Sequence, residues 1–229
     1  MNILFHGHSC FQISDGEHSL LIDPFISGNS LAVTKPEEIK TEYILLTHGH
    51  PDHILDTVPI AKANDANVIA TFELSTYMGW QGLKTRAVNI GGRLSLGFAE
   101  IQMVQAFHSS GIIDEKEQKI IYAGMPGGFL IHWNGKTILH TGDTSLFSDM
   151  KLIGERNAID VAFIPIGDVF TMGPEDAAVA AEWLQARCVV PMHYDTFPPI
   201  AQQPDRFVQL LSERGIAGKV LQPGQSLKL

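Results

Sequence analysis

The feature that most constrains this chain is a cluster of metal-ligand residues directly after a short apolar run. Residues 47–53 read Thr-His-Gly-His-Pro-Asp-His, and the tyrosine and three aliphatic residues before them are typical of a buried strand. His48 and His50 would share one side of an extended backbone, because side chains alternate there. Asp52 and His53 would follow at the start of a helix. A polar loop with chance histidines is the alternative, but this density of histidine and carboxylate favours a metal site.

Three later segments each end an apolar run with a histidine or an aspartate beside small residues. His108 precedes Ser-Ser-Gly, Asp143 lies in a Thr-Gly-Asp-Thr turn, and His193 follows the run Val-Val-Pro-Met. Small neighbours let a ligand approach the backbone closely. Each residue alone is more often structural. In this order after residues 47–53, they would supply the further histidines and the bridging carboxylate that a two-metal hydrolase needs.

The apolar runs and turn signals predict two similar halves, each a sheet covered by helices. The second half is expected to open with a strand over residues 85–90 and to contain turns at Gly127-Gly128 and Asn134-Gly135. Helices are expected over residues 54–63, 146–155, 174–186 and 204–214. The economical architecture is an αββα sandwich, with two mixed sheets flanked by helices.

The order of these motifs resembles that of the metallo-β-lactamase superfamily of binuclear hydrolases, over nearly the whole chain. Within it, residues 7–9, 107–110, 142–144 and 170–174 resemble a smaller branch. That branch contains uncharacterised prokaryotic metal-dependent hydrolases related to ascorbate-6-phosphate lactonases. The resemblance implies the αββα metallo-β-lactamase fold in a single hydrolase domain spanning residues 1–229.

Carried over residue by residue, the resemblance implies a binuclear centre with two divalent transition-metal ions. His48, His50 and His108 would hold the first ion, Asp52, His53 and His193 would hold the second, and Asp143 would bridge the two. A glutamate in place of His50 would be similar to the oxygen-reducing diiron relatives, which also carry a flavin-binding domain. Histidine and aspartate suit zinc, manganese, nickel and iron alike, so the ion's identity stays open.

Three further residues are candidates for binding the substrate. His8 has the branch resemblance and a strand-end position, and both ligation and pocket lining are open to it. Asp168 and Thr171 lie between an apolar run and a helix beginning near Pro174. They either line the substrate pocket or belong to a plain strand-to-helix connection with a helix cap.

The chemistry expected of such a centre is hydrolysis by a hydroxide that two ions activate. Asp52 would be catalytic, since it would ligate an ion and also orient the hydroxide. The expected substrate is a small phosphodiester, lactone or related ester, and the branch resemblance favours a phosphorylated compound over a β-lactam. The alternative is a non-catalytic metal-binding or regulatory protein on the same fold. The complete ligand set argues against that alternative.

Composition narrows the partners and the compartment. The chain is 45% hydrophobic and 18% charged, as in ordinary globular proteins, with a net charge of -9 and no cluster of lysine and arginine. Nucleic acid is therefore not an expected partner. No basic start with an apolar stretch and no apolar window of about 20 residues occurs, so no membrane contact and a cytoplasmic location are expected. A homo-oligomer is left open. Cys10 and Cys188 are expected to be free thiols in apolar runs.

Residues 111–119, which follow His108 closely, begin with a glycine and two isoleucines that are expected to be exposed, followed by a charged stretch. This segment is either a solvated hairpin extension or a flap over the metal site that moves to admit substrate. The position beside a predicted ligand favours the flap.

Overall fold

Two seven-stranded sheets organise the chain into two units, and the computed structural model describes all 229 residues. Unit 1 comprises Met1–Gly92, Ser109–Pro126 and Gln222–Leu229. Unit 2 comprises Arg93–His108 and Gly127–Leu221.

The regular elements follow the chain in a fixed order. The strands are β1 (Asn2–Gly7), β2 (Cys10–Ser14), β3 (Ser19–Ile22), β4 (Tyr43–Leu45), β5 (Asn67–Ala70), β6 (Lys84–Ala87), β7 (Arg93–Ser95), β8 (Ala99–Gln105), β9 (Gly111–Asp114), β10 (Lys119–Tyr122), β11 (Gly127–Trp133), β12 (Lys136–His140), β13 (Val161–Pro165), β14 (Cys188–Met192), β15 (Ala217–Gly218) and β16 (Ser226–Lys228). The α-helices are α1 (Pro51–Ile54), α2 (Thr57–Asn64), α3 (Phe72–Trp80), α4 (Met150–Arg156), α5 (Pro174–Leu184) and α6 (Pro204–Glu213). None of these helices combines the length and the apolarity that a membrane crossing requires.

The sheet of unit 1 has the strand order β16-β1-β2-β3-β4-β5-β6. Its first four strands are antiparallel neighbours, and β3 to β6 are parallel. Parallel neighbours need a crossover connection, which α1 and α2 supply between β4 and β5 and α3 supplies between β5 and β6. Ile44, Val68 and Leu74 meet in the core between strands and helices. This topology brings the carboxyl ends of β3, β4 and β5 to one edge of the sheet.

The helix expected over residues 54–63 is two helices, α1 and α2. Its continuation is blocked at Pro59, which has no N–H to bond the carbonyl of Leu55 and therefore fits only the first turn of a new helix. Asp56 lies between the two helices, and its carboxylate accepts hydrogen bonds from the backbone N–H groups of Ile26 at 2.6 Å and Ser27 at 2.9 Å. The prediction of one continuous helix was wrong for this reason.

The strand expected over residues 85–90, at the start of the second half, belongs to the first half of the chain. It is β6, and it pairs in parallel with β5 as the last strand of the unit 1 sheet. The intervening α3 completes a strand-helix-strand crossover that places β6 beside β5. The division of the chain therefore falls after Gly92 rather than before residue 85.

Residues 111–122 form a separate hairpin, in which β9 and β10 pair only with each other. Ile112 is only 7% exposed, so its expected exposure was wrong. Side chains alternate along a strand, and Ile112 with its cross-strand partner Ile121 packs onto the unit 1 core. Ile113 and its partner Ile120 point the other way and are exposed.

The sheet of unit 2 has the strand order β15-β14-β13-β12-β11-β8-β7. Strands β7, β8, β11 and β12 are antiparallel, and β12 to β15 are parallel. Helices α4, α5 and α6 contribute to one core with β13, which contains the alanine face of α5 together with Phe207 and Leu211 of α6. The helix expected from residue 146 begins only at Met150, and α5 ends at Leu184 rather than at residue 186.

Only one of the two expected turn signals in unit 2 makes a turn. Asn134 and Gly135 join β11 to β12 with φ of 51° and 72°, the left-handed conformations that a tight hairpin turn requires. Gly127 and Gly128 lie inside β11 instead. A Cβ atom on Gly128 would lie 2.5 Å from the carbonyl oxygen of His140, so this glycine permits a close backbone approach.

Candidate metal centre

The histidine run of unit 1 lies where β4 ends, as expected. The backbone leaves the sheet after Leu46, whose N–H still bonds the carbonyl of Ile69 at 2.9 Å, and α1 begins at Pro51. His50 is extended at the N-cap position, and proline suits the first helical residue because it lacks an N–H. The sequence therefore places the first two histidines on the loop and Asp52 with His53 on the first turn of α1.

Asp23 is a buried carboxylate that contacts this loop from the end of β3, and sequence reasoning missed it. It accepts hydrogen bonds from the Thr47 N–H at 2.8 Å, from the Thr47 hydroxyl at 2.6 Å and from Nδ1 of His53 at 2.8 Å. A histidine that donates Nδ1–H to a carboxylate presents Nε2 as its ligand atom. The signal that could have found Asp23 is its position after β3, the same strand-end position that identified Asp143.

The same hydrogen bonds fix the tautomer of His48. The single hydroxyl proton of Thr47 is donated to Asp23, so the Thr47 oxygen must accept from Nδ1 of His48, 3.0 Å away. Nε2 of His48 then carries the lone pair, and it lies 3.0 Å from Nδ1 of His50. One oxygen of Asp23 and one ring nitrogen each of His48 and His53 lie within 4.8 Å of one another. Two imidazoles held through Nδ1 with Nε2 presented suit a transition-metal ion.

Replacing Asp23 with asparagine should weaken zinc binding about 10- to 100-fold, because the single oxygen of the amide cannot accept all three hydrogen bonds that the two carboxylate oxygens accept from Thr47 and His53. Competition with a chromophoric chelator measures this affinity. Asp65→Asn, on an exposed residue of unit 1, is the matched control and should bind zinc as the wild type does. A variant that loses thermal stability in its metal-free form but retains full zinc affinity would show that Asp23 supports the fold only.

His8 contacts Asp52, the carboxylate on the first turn of α1. Its side chain is buried, its φ is 57°, and its Nε2 lies 3.2 Å from Oδ2 of Asp52. A non-glycine residue in the left-handed region carries local strain, which the surrounding structure must compensate. The contact favours a role of His8 in holding Asp52 over direct contact with a substrate, while ligation stays open.

The three predicted ligands of unit 2 lie together. Oδ2 of Asp143 is 2.9 Å from Nε2 of His193 and 3.7 Å from Nε2 of His108. The side chain of Asp143 is only 2% exposed. The preceding residue, Gly142, has a φ of 64°, and its N–H donates a hydrogen bond to Nδ1 of His140 at 3.2 Å. His140 is thus a buried support of the turn. Oδ2 of Asp143 thus faces both imidazoles, within hydrogen-bond distance of His193 and beyond that distance from His108.

Gly167 lets the backbone of His193 approach the end of β13. A Cβ atom there would lie 2.3 Å from the His193 carbonyl oxygen and 3.2 Å from its Nδ1. His193 itself has a φ of 55° directly after β14. Any larger residue at position 167 would displace His193, so this glycine positions a predicted ligand.

Asp168 and Thr171, both predicted to bind substrate, lie in one turn of unit 2, but only Asp168 lines a cavity. They form a tight turn in which the Thr171 N–H donates to the Asp168 carbonyl at 2.6 Å. Asp168 lines a cavity of about 400 Å³, but Thr171 does not. The other lining residues are Pro174, Glu175, Ala201, Gln202, Gln203 and Arg206. No local signal marks the last four residues, because the chain returns to the cavity only just before α6 and in its first turn.

Known proteins resemble this chain over its whole length. Residues 2–193 match the model of the Beta-lactamase superfamily domain. A UPF0173 metal-dependent hydrolase of Geobacillus thermodenitrificans is 59% identical, and YtkL, a UPF0173 metal-dependent hydrolase of Bacillus subtilis, is 53% identical, each over 229 residues with both chains fully covered. The solved structure of Igni18, a metallo hydrolase of Ignicoccus hospitalis, is 34% identical with a TM-score of 0.89, covering 100% of this chain and 98% of that one. These similarities confirm the expected αββα metallo-β-lactamase fold with two mixed sheets. The chain therefore belongs to the metallo-β-lactamase superfamily, among the UPF0173 metal-dependent hydrolases.

Proposed function

We propose that this chain is a binuclear metal-dependent hydrolase of phosphodiesters or phosphorylated lactones. The proposed ligands are His48, His50, Asp52, His53, His108, Asp143 and His193. The observation that carries the proposal is the fixed protonation of the unit 1 histidines. Asp23 and Thr47 accept hydrogen bonds from the Nδ1–H groups of His53 and His48, so the Nε2 atoms of both rings carry the lone pairs for coordination.

Bound divalent ions would supply a hydroxide near neutral pH and would polarise the substrate oxygen. The chain's own contribution is to hold and orient the groups around that reaction. Asp52 is suited to accept a hydrogen bond from the attacking water, because its side chain is 26% exposed whereas those of Asp23 and Asp143 are at most 2% exposed. His8 restrains the other side of this carboxylate through the 3.2 Å contact with Oδ2.

The side chains near Asp168 support weak and promiscuous recognition rather than tight binding of an anion. The cavity at Asp168 contains one cation, Arg206, which lies 3.6 Å from Glu175. The first turn of α5 carries Glu175 and Asp176, and these carboxylates compete with an anion for the positive end of the helix. Attraction for a phosphate would then come mainly from the metal ions. A phosphodiester fits this balance, because it carries a single negative charge.

The test is to compare kcat/KM for bis(p-nitrophenyl) phosphate, γ-butyrolactone and nitrocefin under one metal at a time, with manganese, zinc and nickel. We expect turnover only after metal loading, with the phosphodiester at least about tenfold ahead of the β-lactam, a difference of roughly 1.4 kcal/mol in transition-state stabilisation. A tenfold lead of nitrocefin would overturn the substrate ranking. Full metal loading without turnover of any substrate would support the non-catalytic alternative.

A further inference from the structure

The β9-β10 hairpin of unit 1 is apolar on both faces. Its inner face, with Ile112 and Ile121, packs onto the core. On its outer face Ile113 and Ile120 lie opposite each other on the two strands, and they are 50% and 80% exposed. Tyr122, two residues beyond Ile120 on the same face, is 65% exposed. A hairpin with one buried face normally presents polar side chains on the other, so this outer face requires a cover.

Met125 extends the outer face beyond the end of β10. It is 57% exposed and lines, with Tyr122 and Ile90, a groove of about 310 Å³. Each of the four side chains Ile113, Ile120, Tyr122 and Met125 exposes on the order of 100 Å², so this hairpin patch presents roughly 400 Å². Exposed apolar patches of this size mark interaction sites, and a stable contact needs about 500–800 Å² per partner. The hairpin patch can therefore form the apolar centre of an interface, with the charged hairpin tip as its rim.

We infer that the hairpin patch is the contact through which two copies of this chain associate. Small molecules bind in concave sites, whereas Ile120 at 80% exposure projects from the surface. A second copy offers the same four side chains about a twofold axis, so each hairpin covers the other.

Charge also favours this place for contact between two copies. The chain carries a net charge of -9, so two copies repel each other over most of their surfaces. The hairpin tip carries three carboxylates, on Asp114, Glu115 and Glu117, against the two lysines Lys116 and Lys119, which leaves a net charge of only -1. Lys119 already pairs with Glu117 at 3.6 Å. The hairpin therefore combines an apolar face with a nearly neutral rim.

The test is the mass in solution of the full metal-loaded chain, measured by light scattering after gel filtration or by sedimentation velocity. We expect the wild type to be a dimer or a larger assembly built from dimers. We expect the Ile120→Asp variant to have half the mass of the wild type. Trp80→Asp, on another exposed apolar residue of unit 1, is the matched control and should leave the mass unchanged. A monomeric wild type, or an Ile120→Asp variant with unchanged mass, would overturn the inference.

A second measurement keeps the inference testable if the aspartate disturbs the hairpin. Ile120→Cys should form a disulfide between two copies under mild oxidation, because residues near a twofold axis face each other across it. The native thiols serve as the background, since Cys10 is buried and Cys188 is half-buried. Cross-linking no faster than in the wild type would contradict the hairpin contact, whereas rapid cross-linking would support it.

Discussion

Replacing Asp143 with asparagine is expected to lower kcat/KM for a phosphodiester by at least about 100-fold, more than the loss of a residue that only supports a ligand. The carboxylate oxygen that lies 2.9 Å from His193 and 3.7 Å from His108 carries the negative charge that a bridging ligand needs. An amide offers one oxygen and no charge, so it cannot bridge two cations in the same way. Metal content per chain should fall together with the activity.

The matched control for Asp143→Asn is Asp149→Asn, which changes an exposed carboxylate of the same unit before α4. Its activity and metal content should match those of the wild type. Elemental analysis of both variants after equal metal loading separates lost binding from lost chemistry. Retention of full metal content and activity by Asp143→Asn would remove Asp143 from the proposed ligand set.

Gly154→Ala is expected to destabilise the chain by about 3 kcal/mol, a loss of roughly 6–12 °C in Tm. A Cβ atom on Gly154 would lie 2.2 Å from the carbonyl oxygen of Trp183 and 2.8 Å from that of Leu184. These atoms belong to the backbone of α5, so no side-chain rotation can relieve the overlap, and α4 must move away from α5. Calorimetry or circular dichroism measures the change.

Gly79→Ala provides the matched control for Gly154→Ala, because both glycines lie in helices. The nearest atom to a Cβ at Gly79 is the Thr85 hydroxyl at 3.7 Å, an ordinary contact. Alanine should therefore stabilise α3 by about 0.5–1 kcal/mol through its higher helix propensity. Equal melting temperatures of Gly154→Ala and the wild type would show that α4 and α5 are less tightly packed than the structure indicates.

Candidate metal ligands could be predicted from the sequence because such a prediction depends on residue type and on local position. Histidine and aspartate at the ends of apolar runs identified Asp143, His108 and His193, and the structure brings these three together in unit 2. The resemblance carried by the same residues led to the αββα fold, which the relatives confirm. The assignment of individual ligands to two ions stays a prediction.

Contacts between distant segments could not be read in the same way. Asp23 lies 24 residues before Thr47 and 30 before His53, and no periodicity connects them. Only the parallel pairing of β3 with β4 places Asp23 beside the histidine loop.

The sequence by itself determined the family of this protein and predicted the residues of a metal site, because both depend on which residues stand at strand ends. The tertiary structure decided which sheet β6 joins, which isoleucine of the β9-β10 hairpin is buried, and why Gly128 must be a glycine. Each of these depends on what a distant segment covers or touches. Ile112 and Ile113 are the same residue type side by side, and only the core beneath the hairpin makes one of them buried and the other exposed.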